Sequence, residues 1–146
     1  MFREQLNSWG KEGKPFVFLI DFEQKKPKAW LMEECPDSFK YNFDGITNVD
    51  ARTNGIRNFR FSKTVLEQER YRMKFDKVKD QLRLGNSYLV NLTVSNPLDT
   101  DLTLEEIFHR SVSKYKVWLQ DEFVCFSPES FVQIKNNRIC TFPMKG

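Results

Sequence analysis

Apolar residues stand at helical spacing near the start of the chain, where Phe2, Leu6 and Trp9 lie four and three apart before Gly10 and Gly13 break the pattern. A short helix is predicted there. Pro15 then opens the continuous apolar run Phe16 to Ile20, which reads as a strand buried on both faces. The polar stretch Glu23 to Lys28 reads as a turn and Ala29 to Met32 as a second strand, together a hairpin. Between Pro36 and Asn58, Asp, Asn and Gly recur with few apolar residues, which predicts an irregular, exposed connection holding one short strand at most.

Thr64 with Glu67 has the spacing of a capping box, in which hydroxyl and carboxylate each satisfy a free backbone N–H. The spacing predicts a helix from that point, with a stripe of Tyr71, Phe75, Val78 and Leu82 and Gly85 as its stop. Alternation over Ser87 to Thr93 then predicts a strand with one face in the core, turned at Asn96-Pro97. Thr103 with Glu106 suggests a second capped helix ending near Lys114. Strands follow at Tyr115 to Leu119 and Phe123 to Phe126, with a turn at Gln120 to Glu122 between them and Ser127-Pro128 ending the second. The last element is a hairpin, Phe131 to Ile134 and Ile139 to Phe142, around Asn136-Asn137, because asparagine tolerates the left-handed backbone of a two-residue turn. Helices mixed with hairpins place the chain in the α+β class.

Composition narrows the function classes. With 146 residues the length suits one domain, and 23 Lys plus Arg against 20 Asp plus Glu leave a formal charge of +3. The densest basic cluster, Lys25, Lys26 and Lys28, is followed by the acidic pair Glu33-Glu34, so no nucleic-acid partner is expected. A hydrophobic share of 40% and a charged share of 29% exclude a disordered acidic tail and a membrane protein. The run Phe16 to Ile20 is too short to span a bilayer, and Met1 to Gly13 is too polar for a signal peptide. Fourteen Phe, four Tyr and three Trp supply enough bulky surface for a real core. Cys35, Cys125 and Cys140 are odd in number and widely spaced, which points to free thiols in a reducing cytoplasm, with no metal site.

Few residues stand out chemically by themselves. His109 reads as a partly exposed helical histidine rather than a catalytic base. Glu129, at a strand exit after Ser127-Pro128, and Lys145, after the final hairpin, each read as ordinary surface residues. No glycine-rich phosphate loop is present.

A resemblance reweights those positions. Phe126-Ser127-Pro128-Glu129-x-Phe131, Ile139-x-Thr141 and Pro143-Met144-Lys145-Gly146 resemble the signature of the chorismate-utilising enzymes. Gly85-Asn86-Ser87-Tyr88-x-Val90-Asn91-Leu92-Thr93 does so too. These enzymes include anthranilate synthase, aminodeoxychorismate synthase and the isochorismate and salicylate synthases. Lysine at 145 is similar to component I of the aminodeoxychorismate synthases, of para-aminobenzoate and folate synthesis, where the anthranilate and isochorismate enzymes carry alanine. The resemblance implies Lys145 as the nucleophile that expels the 4-hydroxyl of chorismate, and Glu129 as the general acid/base. It implies Thr141 and Gly146 as pocket residues, Mg²⁺ as cofactor, and a glutamine amidotransferase as the source of ammonia. Leu89 stands where relatives carry lysine or glutamine, which argues against a water nucleophile.

The family fold resembles antiparallel sheets packed face to face with helices outside, and it continues well past the Pro-x-Lys-Gly motif. On that resemblance, 1–146 is expected to be the N-terminal portion of a chorismate-binding domain, truncated after the motif. The Mg²⁺ ligands are expected in the other half, with no metal ligand in this chain. Alone, the chain is expected to be inactive. The alternatives are anthranilate synthase component I and a non-catalytic fragment that self-associates through unpaired apolar faces.

Overall fold

The computed structural model describes residues 1–50, 57–127 and 130–142. In chain order these form α1 (Phe2–Lys11), β1 (Phe16–Leu19), β2 (Lys28–Leu31), a 3-10 turn (Met32–Glu34), β3 (Phe39–Phe43) and β4 (Ile46–Thr47). Then follow β5 (Phe61–Lys63), α2 (Gln68–Arg83), β6 (Leu98–Thr100), α3 (Leu104–Arg110), β7 (Tyr115–Leu119), β8 (Phe123–Ser127), β9 (Val132–Lys135) and β10 (Arg138–Thr141). All strand pairs are antiparallel, and the class is α+β as expected. The chain divides into two compact units, one of Met1–Asn54 with Leu104–Ser130 and the other of Gly55–Thr103 with Phe131–Gly146.

The first unit is a layered structure around a four-stranded sheet of order β4-β3-β7-β8. Side chains alternate across a strand, so Phe39, Tyr41 and Phe43 point to one face and Lys40 and Asn42 to the other. On the first face the β1–β2 hairpin lays down Val17, Leu19 and Trp30, and the Trp30 ring stacks on Phe39 at 4.6 Å. Phe39, Tyr41, Val17 and Leu119 form the buried cluster. The opposite face carries α3, which packs on β7 and β8 and buries Phe108.

Three expectations need correction in this unit. The run Phe16 to Ile20 is not buried on both faces: Val17 is buried, whereas Phe18 is 51% exposed, because a two-stranded hairpin covers the sheet with one side only. Helix α1 continues through Gly10 to Lys11, and Gly13, at φ +68°, follows its end, so one glycine was tolerated inside the helix. The stretch read as irregular holds β3, which is central in the sheet and contains two of the most buried side chains, Phe39 and Tyr41.

The signal for β3 was present. Asp44-Gly45, at φ +54° and +93°, joins Phe43 to its partner Ile46 as a two-residue hairpin turn, and Asp-Gly is a strong local mark of such turns. Asn48 then extends the pairing with its side chain, accepting the Tyr41 N–H at 2.9 Å and donating to the Phe39 carbonyl at 2.8 Å. An amide side chain thus replaces a missing strand beside β3, which kept the polar sequence from looking like sheet.

In the second unit β5 pairs with β6, and β9 with β10. The predicted capping box at Thr64 does not form. Thr64 instead donates its backbone N–H to the Pro97 carbonyl, prolonging the β5–β6 pairing, and the helix begins at Gln68 after Glu67. The far end behaves as predicted. Gly85 adopts φ +77°, its N–H bonds to the Leu82 carbonyl and the Asn86 N–H to the Gln81 carbonyl, which satisfies two carbonyls that a helix end leaves open. The helical stripe shows Tyr71 and Phe75 stacked at 6.4 Å, both a little under half exposed. Every fully buried hydrophobic side chain among the described residues belongs to the first unit.

Candidate functional site

The Phe-Ser-Pro-Glu motif begins on β8, an edge strand of the sheet. Register pairs Ser127 with Tyr115, and Tyr115 with Phe43, so β8 leaves the sheet beside the start of β7 and the end of β3. That corner is tied in three ways. Ser113 Oγ donates toward the Tyr115 carbonyl at 3.0 Å and the Ser127 carbonyl at 3.5 Å. The Asp44 N–H bonds to the Lys114 carbonyl at 2.9 Å, and Lys114 Nζ pairs with Asp44 at 3.0 Å, which raises the lysine above its ordinary pKa. Pro128 and Glu129 lie outside the described residues.

The second motif block lies on the β9–β10 hairpin, which turns as predicted. Asn136 and Asn137 take φ +52° and +57°, and Ile139 faces Ile134 across the ladder. Thr141 stands opposite Val132 at the end of β10, exposed, and the Phe142 N–H bonds to the Phe131 carbonyl at 3.1 Å. All eight strand residues are exposed. Of the four residues expected to serve the chemistry, Thr141 is described, whereas Lys145, Gly146 and Glu129 lie outside the described residues.

The Gly85 to Thr93 block is placed differently from its prediction. Gly85 closes α2, but Ser87 to Thr93 forms no strand, and the pairing that exists nearby belongs to Leu98–Thr100 of β6. Alternation reports which side chains could face a core, and a ladder also needs a partner strand in register. Leu89 is 76% exposed, with the Ser87 hydroxyl donating to its carbonyl.

On the α3 face, Lys116, Glu105 and Lys40 escaped the sequence reading and gather around His109. Lys116, near the start of β7, donates from Nζ to the carbonyls of Phe108 at 2.8 Å and Ser111 at 3.0 Å, closing the C-terminal end of α3. Burial pushes its ammonium below the usual lysine pKa. His109 is nearly buried rather than partly exposed, with Nε2 3.7 Å from Glu105, which also lies 3.8 Å from Lys40. Asn42, Thr47, Asp50, Phe108, His109 and Lys116 line a cleft of about 280 Å³. A charged residue inside the otherwise apolar run of β7 was the available signal.

Among the described residues no three His, Cys, Asp or Glu side chains gather as a metal site. The three cysteines are free thiols. No helix among the described residues is long and apolar enough to cross a membrane.

A family model described as chorismate binding enzyme matches residues 4–146. The chain is 44% identical over 147 residues to a protein of Haemophilus influenzae described as an uncharacterized PabA-like protein, covering 99% of this chain and 44% of the relative. It is 39% identical to a protein of Pasteurella multocida with a similar description, covering 99% of this chain and 45% of the relative. The chain therefore spans less than half the length of these curated relatives. No solved structure matches it. With the motif blocks on β8, after α2 and on the β9–β10 hairpin, and with the family match running over nearly all its residues, the chain belongs to the chorismate binding enzymes.

Proposed function

We propose that residues 1–146 are the N-terminal portion of an amino-transferring chorismate enzyme of the aminodeoxychorismate synthase kind, in which chorismate and ammonia give 4-amino-4-deoxychorismate. The observation that carries this reading is lysine at 145 in the Pro-Met-Lys-Gly motif that follows the β9–β10 hairpin. Lys145 attacks the chorismate ring and expels the 4-hydroxyl, the C–O bond breaking as Glu129 protonates the leaving oxygen, and ammonia then displaces the lysine from the covalent intermediate. The attack needs a neutral amine. A reference pKa of about 10.4 leaves under about 1% neutral at pH 7, so desolvation or a neighbouring cation must lower it. A carboxyl near an apolar rim is suited to the proton transfer because its pKa rises toward neutrality.

Thr141 and Gly146 line the substrate pocket in this reading. A glutamine amidotransferase supplies the ammonia in the cytoplasm, and the Mg²⁺ ligands are contributed by the longer protein. The coverage of under half of each relative supports assigning turnover to that longer protein rather than to residues 1–146 alone. The test is to incubate the full-length protein with chorismate, ammonium and Mg²⁺ and identify the products by mass. The expected result is aminodeoxychorismate from the natural sequence and no covalent adduct from Lys145→Ala. Anthranilate as the sole product would remove this assignment in favour of the anthranilate synthase reading.

A second reading, a non-catalytic self-associating chain, is favoured by the exposure of Phe131, Ile134 and Ile139 in a unit without a fully buried hydrophobic side chain among its described residues. Sedimentation of residues 1–146 separates the two readings. Monomers at high concentration count against association, and turnover by these residues alone counts against a non-catalytic role.

A further inference from the structure

We propose that the cleft between α3 and the sheet is a binding site for a small hydroxycarboxylate, its carboxylate held by Lys116 and Asn42 and its hydroxyl by Asp50. Strand register builds the floor. Asn42 pairs with Lys116 on one side and with Thr47 on the other. Paired residues of antiparallel strands project to the same face, so the three side chains form a row across β7, β3 and β4. Phe108 and His109 of α3, with Val49 and Asp50, complete the walls around about 280 Å³. All of these residues belong to the first unit, and none belongs to the motif blocks. Ligand pockets run upward from about 300 Å³, so a cleft of this size suits a molecule of a few heavy atoms.

The row holds donors that the fold does not consume. Asn42 Oδ1 accepts the Gly45 N–H at 2.9 Å, which orients the amide and leaves its NH2 group without a hydrogen bond among the described residues. Lys116 gives two of its three hydrogens to the Phe108 and Ser111 carbonyls and keeps the third. Its charge is also unanswered. Glu105, the acid of α3 in this region, is engaged with Lys40 at 3.8 Å and His109 at 3.7 Å, and burial is the one influence that moves the Lys116 pKa. A half-buried ammonium facing neutral acceptors alone is costly, and an anion entering the cleft offsets that cost. Asp50 is exposed, and its carboxylate makes no hydrogen bond or ion pair among the described residues. A carboxylate only accepts, so the group it takes from a ligand is a donor, and its charge repels a second carboxylate. With Lys116, Lys40 and His109 already around the cleft, a hydroxyl fits that role better than another cation.

The experiment titrates 4-hydroxybutyrate into the full-length protein labelled with nitrogen-15, at constant ionic strength. Resonances of the Asn42 side-chain amide and of the Phe108 and Val117 backbone amides report on the cleft. Saturable shifts at these groups are expected, with a dissociation constant in about the millimolar range for so small a molecule. Butyrate, which lacks the hydroxyl, and 4-aminobutyrate should each bind about threefold or more weakly than 4-hydroxybutyrate. Asn42→Asp keeps the acceptor for the Gly45 N–H and sets a negative charge against the incoming carboxylate, so it should weaken binding more than about tenfold. Lys116→Met should do the same, and the Asn42→Asp result decides the matter where Lys116→Met folds poorly. Asp50→Ala should bring 4-hydroxybutyrate and butyrate to equal affinity. Shifts that never saturate, shifts that chloride reproduces, or unchanged binding in Asn42→Asp overturn the proposal. Butyrate or 4-aminobutyrate binding as tightly as 4-hydroxybutyrate to the natural protein overturns it as well.

Discussion

The Lys116 ammonium lies 4.6 Å from the centre of the Phe108 ring and donates to the Phe108 carbonyl at 2.8 Å, so one side chain binds both the ring and the backbone end of α3. A helix of seven residues has few internal hydrogen bonds, and its last carbonyls face the sheet. Lys116→Met keeps the apolar stem and removes the donors. It should destabilise the first unit by about 1–3 kcal/mol, measured by urea unfolding, because two half-buried carbonyls lose their partner.

The same lysine predicts a dependence on pH. Burial places its folded pKa below the ordinary value of 10.5, so between those two values the unfolded chain holds more protons at this position. The cost of burying the charge is fully present below that window and is relieved as pH rises through it. Unfolding measured from pH 7 toward 10.5 should show the difference between the natural protein and Lys116→Met shifting in that direction. A difference independent of pH across the window would contradict it.

Asp101 predicts a dependence of the same sign, at acid rather than alkaline pH, in the second unit. Its carboxylate accepts the Arg60 N–H at 2.8 Å and the Arg57 guanidinium at 3.2 Å, and these hold its pKa below the usual 3.8. Its stabilising contribution is complete above 3.8 and is lost as pH falls through the lower folded value. Asp101→Asn should therefore remove part of the acid sensitivity of the β5–β6 pair, read by amide exchange at Phe61 to Lys63.

The turn Asn136-Asn137 sets the register in which Ile139 meets Ile134. Both residues have positive φ, and a β-branched side chain is strained there. Asn137→Val should cost about 1–2 kcal/mol and weaken cross-strand contacts in nuclear Overhauser spectra, whereas Asn137→Gly should preserve them.

Phe39 is 1% exposed between Trp30 and Tyr41. Phe39→Ala should destabilise by about 3–5 kcal/mol, since removing the ring leaves a cavity that two aromatic neighbours fill poorly. Thermal unfolding of the first unit provides the measurement.

Local spacing was sufficient for elements whose cause is local. The stripe and glycine stop of α2, the strands β7 and β8, and the Asn-Asn hairpin could be read because turn residues and alternation act within a few positions. The motif blocks that contain Glu129, Thr141, Lys145 and Gly146 were legible only as a family resemblance, and the family match over residues 4–146 bears out the family. What spacing did not supply was the choice of partner. Thr64 has the makings of a helix cap, yet its backbone N–H is taken by Pro97, a residue remote in sequence. Ser87 to Thr93 has the alternation of a strand without a ladder, and Phe39 to Phe43 became the central strand because Asn48 and β7 satisfy its two edges. Lys116 had no local mark of its role, because the carbonyls it bonds belong to the end of α3. In each case the sequence determined which backbone and side-chain groups need partners, and tertiary structure decided which distant groups satisfy them, because pairing across the chain depends on positions that short-range periodicity does not encode.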